Sequence, residues 1–149
     1  VPFMLSGEEF ARTKHGVSDS FSSPAALNQL DWRRAQRMGD LVDHYAALIR
    51  LRRGNPAYFG GARMIVPRDD ETVVFRVGDD CVAINPTGSP QTQLATDLEM
   101  PDPYGEVSKI APNEWQCIYC SGSDMPGAVE RRLLPLPPYT FTVWRRSRG

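Results

Sequence analysis

Tyr45-Ala46-Ala47-Leu48-Ile49-Arg50-Leu51-Arg52-Arg53-Gly54-Asn55-Pro56-Ala57-Tyr58 divides the chain in two. Leu41, Tyr45, Leu48, Ile49 and Arg52, with Val42 beside them, recur at the spacing of one helix face. That periodicity predicts a helix over about Met38–Arg53. Asp40 and Asp43 stand early, and Arg50, Arg52 and Arg53 stand late, which is the order the helix dipole favours. Gly54-Asn55-Pro56 ends the helix, because glycine suits a helix exit and proline cannot continue one. Two textures flank this stop.

Upstream, Val1-Pro2-Phe3-Met4-Leu5 is apolar throughout, as in a strand buried on both faces. Ser6-Gly7-Glu8-Glu9 ends it, and a polar loop runs on to Ser23. Ser23 is placed to cap a further helix with Pro24 at its first position. An abrupt apolar start without Met or a basic region is not a signal peptide. It leads to the expectation of a parent that continues upstream.

Downstream, short β-rich runs alternate with Pro and Gly punctuation. Strands are expected near 62–66, 72–77, 81–85, 91–94, 114–120, 129–134 and 139–144. Asp69-Asp70 and Gly78-Asp79-Asp80 fall at hairpin turns, and Pro101 to Pro103 marks a longer loop. The expected fold is mainly β: an antiparallel β-sandwich over residues 57–149, preceded by one strand-loop-helix unit over residues 1–56. A single βα unit cannot make a parallel sheet. Residues 1–54 are therefore expected to pack on the sandwich, on a second copy in a homo-oligomer, or on an upstream fragment.

The totals exclude several classes. The 149 residues carry a net charge of −1, with 41% hydrophobic and 23% charged residues, ordinary for one modest globular core. Residues 1–54 balance to +2 and residues 55–149 to −3, so neither half has the basic face of a nucleic-acid binder. Arg145-Arg146-Ser147-Arg148 reads as a solvated basic tail. No apolar run approaches the ~18 residues of a membrane span. Gly60-Gly61 and Gly122 do not sit between strand and helix as a phosphate site requires, and no cofactor is implied. The odd count of three cysteines argues against a disulfide framework, and free thiols favour a cytoplasmic over a secreted setting. Cys117 and Cys120 have metal-site spacing, but on a strand their side chains are expected on opposite faces, which speaks against a metal.

Three blocks carry a family resemblance. Val1 to Lys14, with Gly7-Glu8-Glu9-Phe10-Ala11-Arg12-Thr13-Lys14 at its heart, resembles the last barrel strand and exit loop of glycoside hydrolase family 13, most closely the pullulanase type. Asn28-Gln29-Leu30-Asp31-Trp32 resembles the segment before the family's final barrel helix, and Tyr45 to Tyr58 resembles that helix and its exit. The closing Tyr139-Thr140-Phe141-Thr142-Val143-Trp144 is similar to the family's C-terminal sandwich. Phe21 and Ser22 stand where the family usually has a Tyr-Asn pair, and Ala25 and Ala26 stand where an acidic residue is common.

The resemblance implies the last βα unit of a (β/α)8 barrel and an amylase-type C-terminal domain. It implies a parent that hydrolyses α-1,6 bonds of an α-glucan polysaccharide. It places the catalytic carboxylates on earlier strands, so no residue of this chain is expected to be catalytic. Glu8, Glu9, Arg12, Asn28 and Asp31 become candidates for the rim of the substrate cleft. Glu8 and Glu9, as neighbours on an extended segment, should point to opposite sides. Arg12 could pair bidentately with a carboxylate or bind a sugar, or anchor the loop in an ion pair. Asp31 could contact a sugar or cap a helix over Trp32–Met38. His44 should be surface or partly packed.

The alternative is an α-glucan-binding module without chemistry. Trp115, Tyr119, Tyr139 and Trp144 are its candidate stacking residues, and Trp115 and Tyr119, four apart, should share one strand face. Sandwich core is the competing role for all four.

Overall fold

In the computed structural model, residues 3–61, 63–98, 115–127 and 133–147 are described. The chain separates into two compact units, Val1–Phe59 and Gly60–Gly149. The loop expected at Pro101 to Pro103 lies outside the described residues.

The first unit is helical and loop-rich. Phe3, Met4 and Leu5 form no strand, and Phe3 is 91% exposed. This corrects the expected buried strand, because a lone strand has no neighbour to satisfy its backbone groups. Helix α1 spans Ala25–Asn28 and follows Pro24, which is the cap residue rather than the first helical one; Ser23 makes no cap. Helix α2 spans Trp32–Arg37, and Asp31 accepts hydrogen bonds from the Arg33 and Arg34 amides at its start. Helix α3 spans Gly39–Gly54. Asn55 ends it in an extended conformation and accepts the Ala57 amide at 3.0 Å through Oδ1, starting a short helix α4, Ala57–Gly60. No side chain of α3 is fully buried; Leu41, Val42, Tyr45 and Leu48 are half-buried. His44 is half-buried too, edge-on to Tyr45.

The second unit is the antiparallel two-layer structure expected. Strands β1 (Arg63–Val66), β2 (Val73–Val77), β3 (Asp80–Asn85), β5 (Trp115–Cys120) and β7 (Thr140–Arg146) form one sheet in the order β1-β2-β3-β7-β5. Strands β4 (Gln91–Leu94) and β6 (Leu133–Leu136) form a second. Of the strand expected at 129–134, residues 129–132 lie outside the described residues; β6 includes Leu133 and Leu134 and crosses Pro135. Proline is tolerated there because a two-stranded sheet leaves each strand one unpaired edge.

The core lies between the sheets. Val74, Cys81, Ala83, Trp115, Cys117 and Trp144 from the large sheet meet Leu134 and Leu136 from β6, with Leu98. Burying each branched aliphatic stabilises by about 1.5–3 kcal/mol.

Polar ties fix the layers. Asn85, buried, donates from Nδ2 to the carbonyls of Ser89 (2.9 Å), Leu136 (2.9 Å) and Pro137 (3.1 Å), and accepts from Thr87 through Oδ1. Arg68 joins the β1–β2 turn to β4, donating to Gln93 Oε1 at 2.7 Å and to Asp70 Oδ1 at 2.9 Å. The Arg68 guanidinium and the Thr72 donors hold the Asp70 carboxyl well below the usual carboxylate range. Asp80, fully buried, is paired in a fork with Arg145 at 2.7 and 2.9 Å.

Candidate functional site

The loop from Ser6 to Asn28 turns on Gly7. Its φ of 101° is open to glycine, and a Cβ there would lie 2.7 Å from Arg12 Cδ. The Gly7 carbonyl accepts the Phe10 and Arg12 amides at 3.2 and 2.8 Å, closing a 3₁₀ turn over Glu8–Phe10. Glu8 and Glu9 therefore stand on a turn, which corrects the extended segment expected of them. Glu9 Oε2 reaches back to accept the Gly7 amide at 2.9 Å, while Glu8 is exposed. Ala11 and His15 adopt positive φ of 54° and 51°, so the tight loop carries backbone strain at two residues with side chains.

Arg12 folds its stem over Gly7 and spends its fork on main-chain carbonyls. Nη1 donates to Ser6 O at 3.2 Å and Nη2 donates to Asn28 O. Its buried Nε has no hydrogen-bond partner among the described residues. Among the described residues Arg12 makes neither the carboxylate pair nor the loop ion pair expected of it. Asn28 donates Nδ2 to Ser20 O and accepts from Ser20 Oγ through Oδ1, both at 2.8 Å. Lys14 Nζ meets the same Ser20 hydroxyl at 2.5 Å. Arg12 thus holds the Asn28 main chain, while Ser20 joins the Asn28 and Lys14 side chains. Ser20 and Lys14 were missed in the sequence; a serine in a polar loop carries no signal of burial.

Asp31 is a cap. Oδ1 accepts the Arg33 and Arg34 amides at 3.0 and 3.1 Å, and Arg37 reaches Oδ2 at 3.4 Å. Arg34 Nε donates to Phe10 O at 3.1 Å, tying α2 to the turn, and the Phe10 ring lies 6.1 Å from Trp32. The carboxylates of Glu9, Asp19 and Asp31 all accept backbone N–H groups. The loop's acidic groups shape its backbone. Its tip presents Phe21, 98% exposed.

The stacking candidates on the sandwich separate. A bulge between Cys117 and Tyr119 shifts the register, so Trp115 and Cys117 lie opposite Arg146 and Trp144, whereas Tyr119 lies opposite Val143. Trp115 and Tyr119 consequently occupy opposite faces, correcting the shared face expected from their spacing, since a bulge inserts one residue and inverts the alternation. Trp115 and Trp144 are buried in the core; Tyr119 packs edge-on to Phe141 at 5.8 Å.

The same bulge puts Cys120 on the core face with Cys117, correcting their expected opposition. The cysteines are free thiols, and burial pushes Cys81 up to about 12 and Cys117 up to about 11. Among the described residues no cluster of His, Cys, Asp and Glu is arranged to hold a metal ion, and no helix is long and apolar enough to cross a membrane.

No family model matches the chain. A 58-residue stretch is 47% identical to the pullulanase of Bacillus subtilis (strain 168), covering 39% of this chain and 8% of that protein. A 57-residue stretch is 41% identical to the glycogen debranching enzyme of Escherichia fergusonii, covering 38% and 8%. Among solved structures, a pullulanase from Bacillus acidopullulyticus superposes with a TM-score of 0.73 at 23% identity, over 97% of this chain and 18% of that one. A pullulanase from Anoxybacillus sp. LM18-11, complexed with maltotetraose, superposes with a TM-score of 0.72 at 19% identity, over 99% and 21%.

The class of fold comes first: the chain follows the solved pullulanases and, with a TM-score of 0.57 over 85% of its length, an α-amylase from H.orenii. Within that class the sequence likeness is to the pullulanase type and to glycogen debranching enzymes. The chain spans about 8% of the length of the curated relatives it matches.

Proposed function

We propose that this chain is the C-terminal part of a debranching α-glucan hydrolase, and that the whole protein cleaves α-1,6 bonds of starch- or glycogen-like polysaccharide. The observation that carries this reading is the 47% identical stretch shared with a pullulanase, in a chain whose fold follows a pullulanase over 97% of its length. Residues 1–56 are then the last βα unit of the barrel and residues 57–149 the C-terminal sandwich. The half-buried face of α3 and the apolar Phe3-Met4-Leu5 are the surfaces that neighbouring barrel elements, from an upstream fragment or a second copy, would cover. The free thiols favour a reducing compartment.

The chain alone is non-catalytic in this reading. A retaining glycosidase sets two carboxyl groups about 5–5.5 Å apart across the scissile bond. Here the carboxylates of Glu9, Asp19 and Asp31 accept backbone amides, and Glu8 stands on the same turn as Glu9. Barrel enzymes build their active sites from loops that follow the strands. Glu8, Glu9, Arg12, Asn28 and Asp31 would serve the cleft by giving one such loop a fixed shape, with Arg12 fastening its two ends.

The test is a chimera in which this chain replaces the corresponding end of the Bacillus subtilis pullulanase. The expected result is release of reducing ends from pullulan and none from amylose. A folded chimera that cleaves amylose in preference to pullulan, or neither, contradicts the proposal.

A further inference from the structure

Tyr139 is held in a conformation its own chemistry disfavours. Its φ is 52°, in the left-handed region that an aromatic residue seldom adopts, and its side chain is nevertheless 75% exposed. An exposed ring contributes little to the core, so the strain is not offset by burial of that ring.

The surroundings fix the residue. Its amide donates to Thr87 O at 3.0 Å, and the Pro137 carbonyl just before it accepts from Thr140 Oγ1 at 2.7 Å and from Asn85 Nδ2 at 3.1 Å. The ring lies over Gly88. A Cβ at Gly88 would come within 2.9 Å of the Tyr139 hydroxyl and 3.4 Å of Cζ, so the absence of a side chain there makes room for the ring. One side of the ring thus rests on the Thr87–Ser89 turn while the rest is open.

The two segments that meet at the ring are uncharged. Residues 85–91 and 136–141 contain no Asp, Glu, Lys or Arg, which suits a neutral ligand over an anionic or cationic one. A flat, rigid aromatic face stacks well on the C–H-rich face of a pyranose, and a pre-set ring loses little conformational freedom on binding.

We propose that Tyr139 is a stacking platform for a glucose ring of an α-glucan chain, a carbohydrate-binding site on the sandwich separate from the Ser6–Asn28 loop. The α-glucan identity of the ligand rests on the debranching reading above; the platform itself rests on the geometry of Tyr139 and Gly88. Such a site would hold the polysaccharide without taking part in bond cleavage.

Electrophoresis of the 149-residue chain through native gels containing soluble amylopectin tests this. The chain should be retarded relative to gels without polysaccharide, and Tyr139→Phe, which keeps the ring, should be retarded equally. Tyr139→Ala and Tyr139→Gly should weaken binding by about tenfold or more. Tyr139→Gly should also unfold at an equal or higher temperature, because glycine relieves the positive φ. That gain separates loss of the ring from loss of the fold. Phe21→Ala, on the other unit, should leave retardation unchanged. Absence of retardation in the parent chain, retardation undiminished in Tyr139→Ala, or its loss in Tyr139→Phe or Phe21→Ala would overturn the site. The readout needs no hydrolysis: retardation beside a chimera inactive on pullulan keeps the platform and removes the debranching reading, and the converse result does the reverse.

Discussion

The two units hold their shape by different means. The second buries Val74, Cys81, Leu134 and Trp144 between two sheets, each at 1% exposure or less. The first buries Phe10 as its sole large apolar side chain among the described residues, and leaves Phe3, Phe21 and Trp32 largely exposed. Its order comes from directed polar contacts: Arg12 on two carbonyls, Ser20 between Lys14 and Asn28, Asp31 on a helix start. A core is non-directional and tolerates repacking, whereas a polar network depends on each donor finding its acceptor. The proposed reading, a self-sufficient domain and one repeat of a larger barrel, calls for this contrast.

The sharpest way to break this comparison is in the core. Trp144→Ala should destabilise the sandwich by about 3–5 kcal/mol, measured by urea unfolding followed by circular dichroism; a much smaller loss would mean that the sheets are not held by that cluster. Asn85→Asp should cost about 2–3 kcal/mol at neutral pH, because a carboxylate would face the three carbonyls the amide now serves. The penalty should ease as pH falls and the new carboxyl is protonated.

Both pH limits of stability should involve the sandwich. Asp70 is lowered in the folded state by the Arg68 and Thr72 hydrogen bonds, so below the ordinary carboxylate range the unfolded chain takes up a proton first. Stability is then lost as pH falls, at up to about 1.4 kcal/mol per pH unit for that group. Cys81 is raised from 9.0 to about 12 by burial, so above about pH 9 the unfolded chain releases its proton first and stability falls as pH rises. Asp70→Asn should flatten the acid arm and Cys81→Ala the alkaline arm in unfolding measured across pH.

Smaller effects belong to the first unit. Arg12→Lys cannot reach both Ser6 and Asn28 with one fork and should loosen the loop by about 1–2 kcal/mol, read as faster proteolysis between residues 6 and 28. Asp31→Ala should cost about 1 kcal/mol through the lost cap of α2, read as reduced helicity.

The contrast also explains what was legible in the sequence. The helix at Gly39–Gly54 and strands such as Gln91–Leu94 and Val73–Val77 follow from periodicity and turn residues, which act locally. Asp31 as a cap is equally local. The misplaced features depend on neighbours. Phe3-Met4-Leu5 has the composition of a buried strand, but a parallel strand exists only beside partners. The bulge at Cys117–Tyr119 is set by pairing with β7, and nothing in Trp115-Gln116-Cys117-Ile118-Tyr119-Cys120 announces it; it reversed both the aromatic and the cysteine expectations. In the loop, Arg12 and Asn28 could be named as candidates, but the Arg12–Asn28 bond and the Asn28–Ser20 pair span too many residues to be read from spacing.

Amide hydrogen exchange is the most direct test of the claim that the first unit is a barrel element completed by neighbours. In the isolated chain, amides of β3 and β7 should exchange only through global unfolding, and those of Gly39–Gly54 much faster, through local opening. In the chimera with the pullulanase barrel, the helix amides should become as protected as the strands. Helix amides in the isolated chain already as slow as β7, or unchanged in an active chimera, would contradict the account.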